Sequence, residues 1–195
     1  MYPFVETIRI EQGRLYNMVY HQQRLAATMA RFYPGMPVPS LATVLSRRDC
    51  PADKTWKVHV EYDGSGITLV RADEYHIRTI KALRLVDCDD ITYDYKSADR
   101  SRLAALAVLK GDADEVVIVK DGLLTDTSYS NIALFDGQQW VTPRRPLLKG
   151  TMRQSLLDTG QLRERDIRAD EWRQYQKVSL INAMMPLGHC VCEVR

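Results

Sequence analysis

Lys96 is the residue whose position first suggests chemistry. It stands in the stretch DYKSADRSRLAALAVLK, just ahead of a predicted helix and close to Asp99, a residue type that is typical of a helix N-cap. A lysine amine that is held neutral is a nucleophile and can form a Schiff base with a carbonyl compound. Because most lysines are only solvated cations, this interpretation requires partner residues elsewhere in the chain.

Pyridoxal phosphate is the cofactor that most often uses such a lysine, and its site needs further groups. Its pyridine nitrogen needs a carboxylate, which Asp126 in LLTDTSYSNIALF could provide. Its phosphate needs an arginine and the amides of a helix start. Gly150 precedes a predicted helix, so the amides of Thr151 and Met152 would face an anion. Arg24 lies on the first turn of another predicted helix. Taken singly, these are also an ordinary turn residue, helix start and surface cation.

Composition argues against several other classes of protein. The chain has 195 residues, of which 45% are hydrophobic, enough for one compact domain or two small ones. Its formal net charge is only +2 with both signs interleaved, unlike a nucleic-acid-binding surface. It has no apolar stretch of about 18 residues, and MYPFVETIRI does not resemble a signal peptide. We therefore expect a cytoplasmic protein that acts on small molecules, without nucleic-acid or membrane partners.

The cysteines Cys50, Cys88, Cys190 and Cys192 are predicted to be free thiols, because they are too few and too scattered for a disulfide framework. The pair in HCVC, with His189 beside it, has no further His or Cys cluster to complete a zinc site. We expect no metal.

Hydrophobic patterns in the first half predict an α+β unit. FVETIRI and GRLYNMVY form a predicted hairpin around Gln12 and Gly13, and a helix follows over YHQQRLAATMARF. A second hairpin, KTWKVHVEYDGSGITLVRA, turns at Asp63 and Gly64, and an extended segment, YHIRTIKALRLV, leads to the acidic DCDD. The unit is predicted to end near residue 90.

The second half predicts a β-rich unit. A helix over residues 100–110 is followed by the strands DEVVIV, NIALF and QWVT, which Asp-Gly turns separate. GTMRQSLLDTG predicts a short helix and KVSLINA a buried strand. We therefore expect two α+β lobes, residues 1–90 and 91–195, with a cleft between them and Lys96 at their junction.

In this order, the motifs resemble those of the class IV aminotransferases, the pyridoxal-phosphate family that includes branched-chain and D-amino-acid aminotransferases and aminodeoxychorismate lyase. The resemblance covers nearly the whole chain, through FVETIRI, HQQRL, YKSADR, TDTSYSNI, GTMRQ and LINAMMPL. It implies a two-lobed α+β fold of the D-amino-acid-aminotransferase type, with a small N-terminal α/β sandwich lobe and a larger β-barrel-like C-terminal lobe. It also implies a homodimer.

The resemblance assigns a role to each motif residue. Lys96 would hold pyridoxal 5'-phosphate as a Schiff base, Asp126 would pair with the pyridine nitrogen, and Arg24 would bind the phosphate. The other implied cofactor contacts are the amides of Thr151 and Met152, and Asn182 with Ala183.

Two departures from the family pattern affect these expectations. Most relatives carry glutamate where this chain has Asp126, so the strand must lie closer to the ring for the shorter carboxylate to reach it. The chain also begins almost at FVETIRI, without the leading strand and some loops of longer members. Its substrate pocket and dimer contacts are therefore expected to differ from theirs.

Two motifs, GTMRQ and INAMMP, are more similar to aminodeoxychorismate lyase than to the transaminases. Arg100, four residues after Lys96, is similar to the lyase pattern and is the predicted substrate-binding residue. The expected reaction is elimination of pyruvate from 4-amino-4-deoxychorismate, giving 4-aminobenzoate. A branched-chain or D-amino-acid transaminase is the alternative. A second alternative, a non-catalytic scaffold that binds pyridoxal phosphate, gives no reason for Lys96, Arg24 and the helix-start site to occur together.

Overall fold

The structure, a computed structural model, describes residues 3–46 and 50–193. The chain divides into two compact units, Met1–His76 with Tyr95–Asp99, and Ile77–Asp94 with Arg100–Arg195. The first unit thus ends earlier than the predicted lobe but takes in the short segment that contains Lys96. The predicted boundary at residue 90 lies inside the second unit.

The first unit is built on a four-stranded antiparallel sheet. Its strands are β1 (Phe4–Glu11), β2 (Arg14–Leu15), β3 (Thr55–Asp63) and β4 (Gly66–Glu74), in the order β2-β1-β3-β4. Helix α1 (Met18–Phe32) follows β2, and the short helix α2 (Leu41–Leu45) comes next. Because β1 and β3 pair along their whole length, β1 is a central strand of this sheet.

Alternation along β1 decides which face of the sheet is covered. Phe4, Ile8 and Ile10 point to one side, as residues two apart on a strand do. They are buried in one hydrophobic cluster with Leu25 and Met29 of α1. Leu25 and Met29 therefore pack helix α1 against this face of the sheet.

The second unit contains eight described strands. They are β5 (Leu83–Asp87), β6 (Glu115–Lys120), β7 (Leu123–Thr127), β8 (Asn131–Phe135), β9 (Trp140–Pro143), β10 (Arg163–Arg165), β11 (Lys177–Ile181) and β12 (Val191–Glu193). The sheet runs in the order β10-β9-β8-β7-β6-β5, and β11 pairs with β8 and β12. Its helices are α3 (Ser101–Val108), α4 (Thr151–Asp158) and a 3-10 helix (Ala169–Gln174).

Two segments differ in detail from what their sequence patterns indicate. In the extended segment YHIRTIKALRLV only residues 83–86 lie in a strand, β5, which continues to Asp87 and pairs in parallel with β6 of the second unit. Asp99 is not the N-cap of α3, because the helix begins at Ser101 with Arg100 in the cap position. The amide of Asp99 instead donates to the Ser97 hydroxyl at 3.1 Å, which places Asp99 in a turn ahead of the helix.

The described residues contain neither disulfides nor a cluster of three or more side chains that could hold a metal ion. All four cysteines are free thiols, as predicted, and the Cys192 thiol donates to the Ile80 carbonyl at 3.1 Å. None of the helices in residues 3–46 and 50–193 has the length and apolar character needed to cross a membrane.

Candidate active site

Lys96 is tied to the first strand of its unit through the main chain. The amide of Val5 on β1 donates to the Lys96 carbonyl at 2.9 Å, and Phe4 and Ser97 form an antiparallel bridge. These contacts fix the main chain of a segment that belongs to no strand of its own. The side chain of Lys96, which is partly buried, therefore starts from a defined position.

Arg24 is anchored on the same strand. It lies on the second turn of α1 and not on the first, because the helix already begins at Met18. Its guanidinium makes two bonds to Glu6 of β1, Nε to Oε1 at 2.9 Å and Nη2 to Oε2 at 2.6 Å. The Arg24 side chain keeps 15% exposure while that of Glu6 keeps none. The predicted phosphate arginine is thus held by a buried carboxylate.

The sequence analysis did not identify Glu6 as the partner of Arg24, or His21 as a second partner of Glu6. The His21 ring nitrogen Nδ1 lies 2.6 Å from Oε2 of Glu6, and both side chains are fully buried. Two signals were present. Glu6 interrupts the apolar face of β1 between Phe4 and Ile8, and His21 and Arg24 are three residues apart on one helix face. A charge on a buried face implies a partner facing it.

Asp126 is a buried carboxylate on β7 of the second unit. It is 5% exposed and accepts hydrogen bonds from Asn131 Nδ2 at 2.8 Å and from the Leu148 amide at 2.9 Å. Burial raises the pKa of Asp126 to about 6, although both hydrogen bonds act to lower it. A cation placed beside this carboxylate would relieve the cost of its buried charge. Asp126 is therefore suited to a protonated ring nitrogen.

Asn131 connects Asp126 to the start of α4. It lies opposite Asp126 on β8, and its Nδ2 also donates to the Leu148 carbonyl at 2.8 Å. Its side-chain oxygen occupies the space that a Cβ atom at Gly150 would need. Gly150, the N-cap residue of α4, has an ordinary extended backbone with φ −70° and ψ 146°. Glycine is therefore required at this position by the Asn131 amide and not by backbone strain.

The start of α4 contains the residues that were predicted to contact the phosphate. Thr151 and Met152 are its first residues, with 4% and 7% exposure. The Gln154 amide makes the first hydrogen bond back along the chain, to the Gly150 carbonyl at 2.9 Å. The amides of Thr151 and Met152 come before it, at the positive end of the helix dipole. Arg153 follows with 2% exposure, and its guanidinium donates to the Pro143 carbonyl at 2.8 Å and pairs with Glu164 at 2.6 Å.

The loop after β7 brings further predicted residues close to Asp126. Arg100 donates from Nη2 to the Ser128 carbonyl at 2.8 Å. Asn182 donates from Nδ2 to the Tyr129 carbonyl at 3.4 Å. Because Ser128 and Tyr129 are two and three residues after Asp126, the side chains of Arg100 and Asn182 each contact the loop that follows Asp126.

Asn182 also shapes the turn that contains Ala183. Its Oδ1 accepts from the amides of Met184 at 2.8 Å and Met185 at 3.1 Å. The main chains of Asn182 and Met185 bond to each other at 3.1 and 3.0 Å. Ala183 lies in this tight turn directly after β11 and is partly buried. Asn182 and Ala183 thus lie in a hydrogen-bonded turn, which Asn182 links to the loop after Asp126.

The chain belongs to the amino-transferase class IV family, which matches residues 4–190. This is a family of pyridoxal-phosphate-dependent enzymes, so the expected cofactor class and enzyme class are confirmed. The match also confirms the resemblance inferred from the motifs.

Similar proteins extend over almost the same length. An uncharacterized protein of Haemophilus influenzae is 33% identical over 187 residues, covering 94% of this chain and 98% of the relative. A crystal structure from Haemophilus somnus 129PT, provisionally named 4-amino-4-deoxychorismate lyase, has a TM-score of 0.92 at 32% identity and covers 96% of this chain and 98% of that one. A provisionally named amino-acid aminotransferase from Mesorhizobium loti has a TM-score of 0.75 at 20% identity, with 99% of each chain covered. These likenesses confirm the predicted fold class.

The residues within each unit suit the groups of pyridoxal phosphate. The first unit offers an amine, Lys96, and an arginine, Arg24, whose side chain is partly exposed and whose partner Glu6 is fully buried. The second unit offers a buried carboxylate, Asp126, joined through Asn131 to a helix start of positive polarity. These are the donor types that an aldehyde, a phosphate and a pyridine nitrogen require.

Proposed function

We propose that the protein is a 4-amino-4-deoxychorismate lyase, which eliminates pyruvate from its substrate and leaves 4-aminobenzoate. The observation that carries this proposal is the similarity, over nearly the whole chain, to the Haemophilus somnus protein that is provisionally named for this activity. The lyase-like motifs GTMRQ and INAMMP support it.

The proposed roles follow the chemistry of each side chain. Lys96 attaches the cofactor through its amine, and Asp126 pairs with the ring nitrogen, where the charge of the carboxylate keeps the nitrogen protonated. Arg100, an exposed cation beside the Asp126 loop, binds the substrate. The proposed phosphate contacts are Arg24, Thr151, Met152, Asn182 and Ala183.

Lys96 also moves the proton. Pyridoxal phosphate, when bound, supplies an electron sink next to the bond that breaks. The Lys96 amine would act as the base that removes the proton from the substrate carbon that bears nitrogen. That C–H electron pair becomes a ring double bond as the bond to the enolpyruvyl oxygen breaks. The ring becomes aromatic, and the departing enolpyruvate takes up a proton and becomes pyruvate.

The test is the amount of pyruvate released per active site from 4-amino-4-deoxychorismate without any keto acid. A lyase makes many equivalents, because elimination regenerates the aldehyde form of the cofactor. A transaminase stops after one turnover and resumes only with a keto acid. Robust transfer from a panel of L- and D-amino acids to 2-oxoglutarate, with no pyruvate from the lyase substrate, would favour a branched-chain or D-amino-acid transaminase.

Two lysine variants provide the control for this measurement. Lys96→Ala should abolish pyruvate release, because the proposed base and attachment point are lost. Lys81→Ala removes an exposed lysine outside the proposed site and should leave the rate unchanged. Equal activity of both variants would move the chemistry away from Lys96.

We also infer that the protein is a homodimer, as the family resemblance implies, and that it acts in the cytoplasm. Light scattering on the purified protein measures the mass in solution. A mass of one chain at micromolar concentration would contradict the dimer.

A further inference from the structure

Glu6 is an ionisable residue in the middle of an apolar strand face. It lies between Phe4 and Ile8, both of which belong to the hydrophobic cluster of the first unit, and it has no exposed surface. An isolated carboxylate in such a place is strongly disfavoured, so it must be compensated by partners. The proposed roles of Lys96 and Arg24 do not explain why the chain places a charge there.

Arg24 and His21 together contact both oxygens of the Glu6 carboxylate. Arg24 contacts Oε1 through Nε and Oε2 through Nη2, which is the two-bond geometry in which a guanidinium is held in one plane. His21 Nδ1 contacts Oε2 as well, at 2.6 Å. Because an ionised carboxylate only accepts, His21 donates a hydrogen bond from Nδ1 to the same oxygen that Arg24 Nη2 contacts.

The electrostatics agree with this arrangement. Burial acts to raise the pKa of Glu6, but the Arg24 charge and the bonds from His21 and Arg24 outweigh it and lower the pKa to about 2. Burial lowers the pKa of His21, against the influence of Glu6. At neutral pH this group of three side chains, the Glu6 cluster, thus consists of an ionised Glu6, a cationic Arg24 and a neutral His21.

Exposure differs within the cluster in a way that bears on ligand binding. Arg24 reaches solvent with 15% of its side chain, whereas Glu6 and His21 do not. An anion that approaches from solvent would therefore reach the Arg24 side chain and not the carboxylate. The neighbouring residue Val5 holds the Lys96 carbonyl at 2.9 Å, so two consecutive residues of β1 fix both Lys96 and Arg24.

We propose that Glu6 is a positioning residue that orients the Arg24 guanidinium toward the phosphate of the cofactor, with His21 locking Glu6 in place. This inference rests on the proposed role of Arg24. It predicts that removing the Glu6 charge weakens phosphate recognition, although Arg24 loses a neutralising partner. If Glu6 only neutralised Arg24, the same change would strengthen the attraction between Arg24 and phosphate. The sign of the effect separates the two roles.

The experiment compares pyridoxal phosphate with pyridoxal, which lacks the phosphate. Both dissociation constants are measured in a Lys96→Ala background, so that no covalent link contributes. The dissociation constant for pyridoxal divided by that for pyridoxal phosphate reports the contribution of the phosphate alone. Glu6→Gln should lower this ratio about tenfold or more, as expected when a charge-assisted hydrogen bond to phosphate is misaligned. Glu6→Asp keeps the charge but shortens the reach, and should also lower the ratio.

Stability is controlled with Leu45→Ala, a buried core change on helix α2 of the same unit. It should weaken both ligands equally, if at all, and leave the ratio unchanged. If Glu6→Gln does not fold, His21→Gln provides a milder loss of orientation and should lower the ratio less. A ratio that is unchanged or increased in Glu6→Gln, or unchanged in Glu6→Asp, would overturn the positioning role.

The design separates this inference from the proposed function. If the parent Lys96→Ala protein shows no preference for pyridoxal phosphate over pyridoxal, the proposed phosphate site is wrong. If the parent shows a preference that Arg24→Ala abolishes but Glu6→Gln retains, only the role of Glu6 is wrong.

Discussion

Removing the charge of Asp126 should change the stability of the protein in a pH-dependent way. The carboxyl group is 5% exposed, and burial raises its pKa from the ordinary 3.8 to about 6. Folding therefore favours its protonated form. The contribution of Asp126 to stability is most favourable below pH 3.8 and is lost as the pH rises through about 6.

The magnitude follows from the two pKa values. A rise from 3.8 to about 6 corresponds to about 3 kcal/mol of unfolding free energy between low and neutral pH. Roughly 2 kcal/mol of this loss falls between about pH 4.5 and 7.5. Asp126→Asn does not titrate, so its stability relative to the parent protein should rise by about 2 kcal/mol over that interval. The hydrogen bond lost to Asn131 or Leu148 adds a pH-independent offset and leaves this slope unchanged.

Urea unfolding of both proteins without cofactor, at a series of pH values, measures the slope. Asp112→Asn, which removes an exposed aspartate, is the matched control and should run parallel to the parent protein. Saturating pyridoxal phosphate should flatten the Asp126 slope, because a protonated ring nitrogen would favour the ionised carboxylate. A stability difference between Asp126→Asn and the parent that stays constant with pH would refute the raised pKa.

Three further outcomes are expected. The purified protein should be yellow, and borohydride should fix pyridoxal phosphate to the peptide that contains Lys96; a protein that stays colourless with added cofactor would contradict the enzyme assignment. Asp126→Asn should lose far more activity than Asp126→Glu, because a charge-assisted bond of roughly 1.5–3 kcal/mol is lost with the charge and not with the extra methylene; equal rates for Asn and parent would make Asp126 a structural residue. Gly150→Ala should lower the free energy of unfolding by about 1–3 kcal/mol, because the new Cβ atom displaces the Asn131 side chain. When Asn131→Ala is also present, Gly150→Ala should cost much less. Strictly additive losses in thermal or urea unfolding would contradict the overlap between the Cβ atom and Asn131.

Short-range sequence patterns were sufficient to predict several strands and helices. Strands β6 and β8 were predicted because their apolar runs are bounded by Asp-Gly turns. The chain does turn there, with positive φ at Asp121 and at Gly122 and Gly137. Helix α4 was predicted by its periodicity and preceding glycine. The roles of Lys96 and Asp126 came from the family resemblance and stay predictions.

Contacts between distant residues could not be predicted in this way. The bond from Val5 to the Lys96 segment has no periodic signal, so the return of Tyr95–Asp99 to the first unit was missed. The buried contacts among Glu6, His21 and Arg24 were missed because the charged Glu6 interrupts the apolar alternation of β1. The requirement for Gly150 was also hidden, because it depends on where the Asn131 amide lies.

Strand β1 precedes the other strands of its sheet in the chain, yet a partner of one of its edges comes much later. On the side away from β3, β2 pairs with β1 only at Ile10 and Glu11. The first residues of that edge pair instead with the Lys96 segment, through the bond from Val5. A nascent chain that has not yet reached Lys96 therefore presents an open strand edge, the kind of surface that recruits foreign strands. Arrival of the Lys96 segment removes that hazard, so the proposed catalytic lysine also marks the point at which the N-terminal sheet can close.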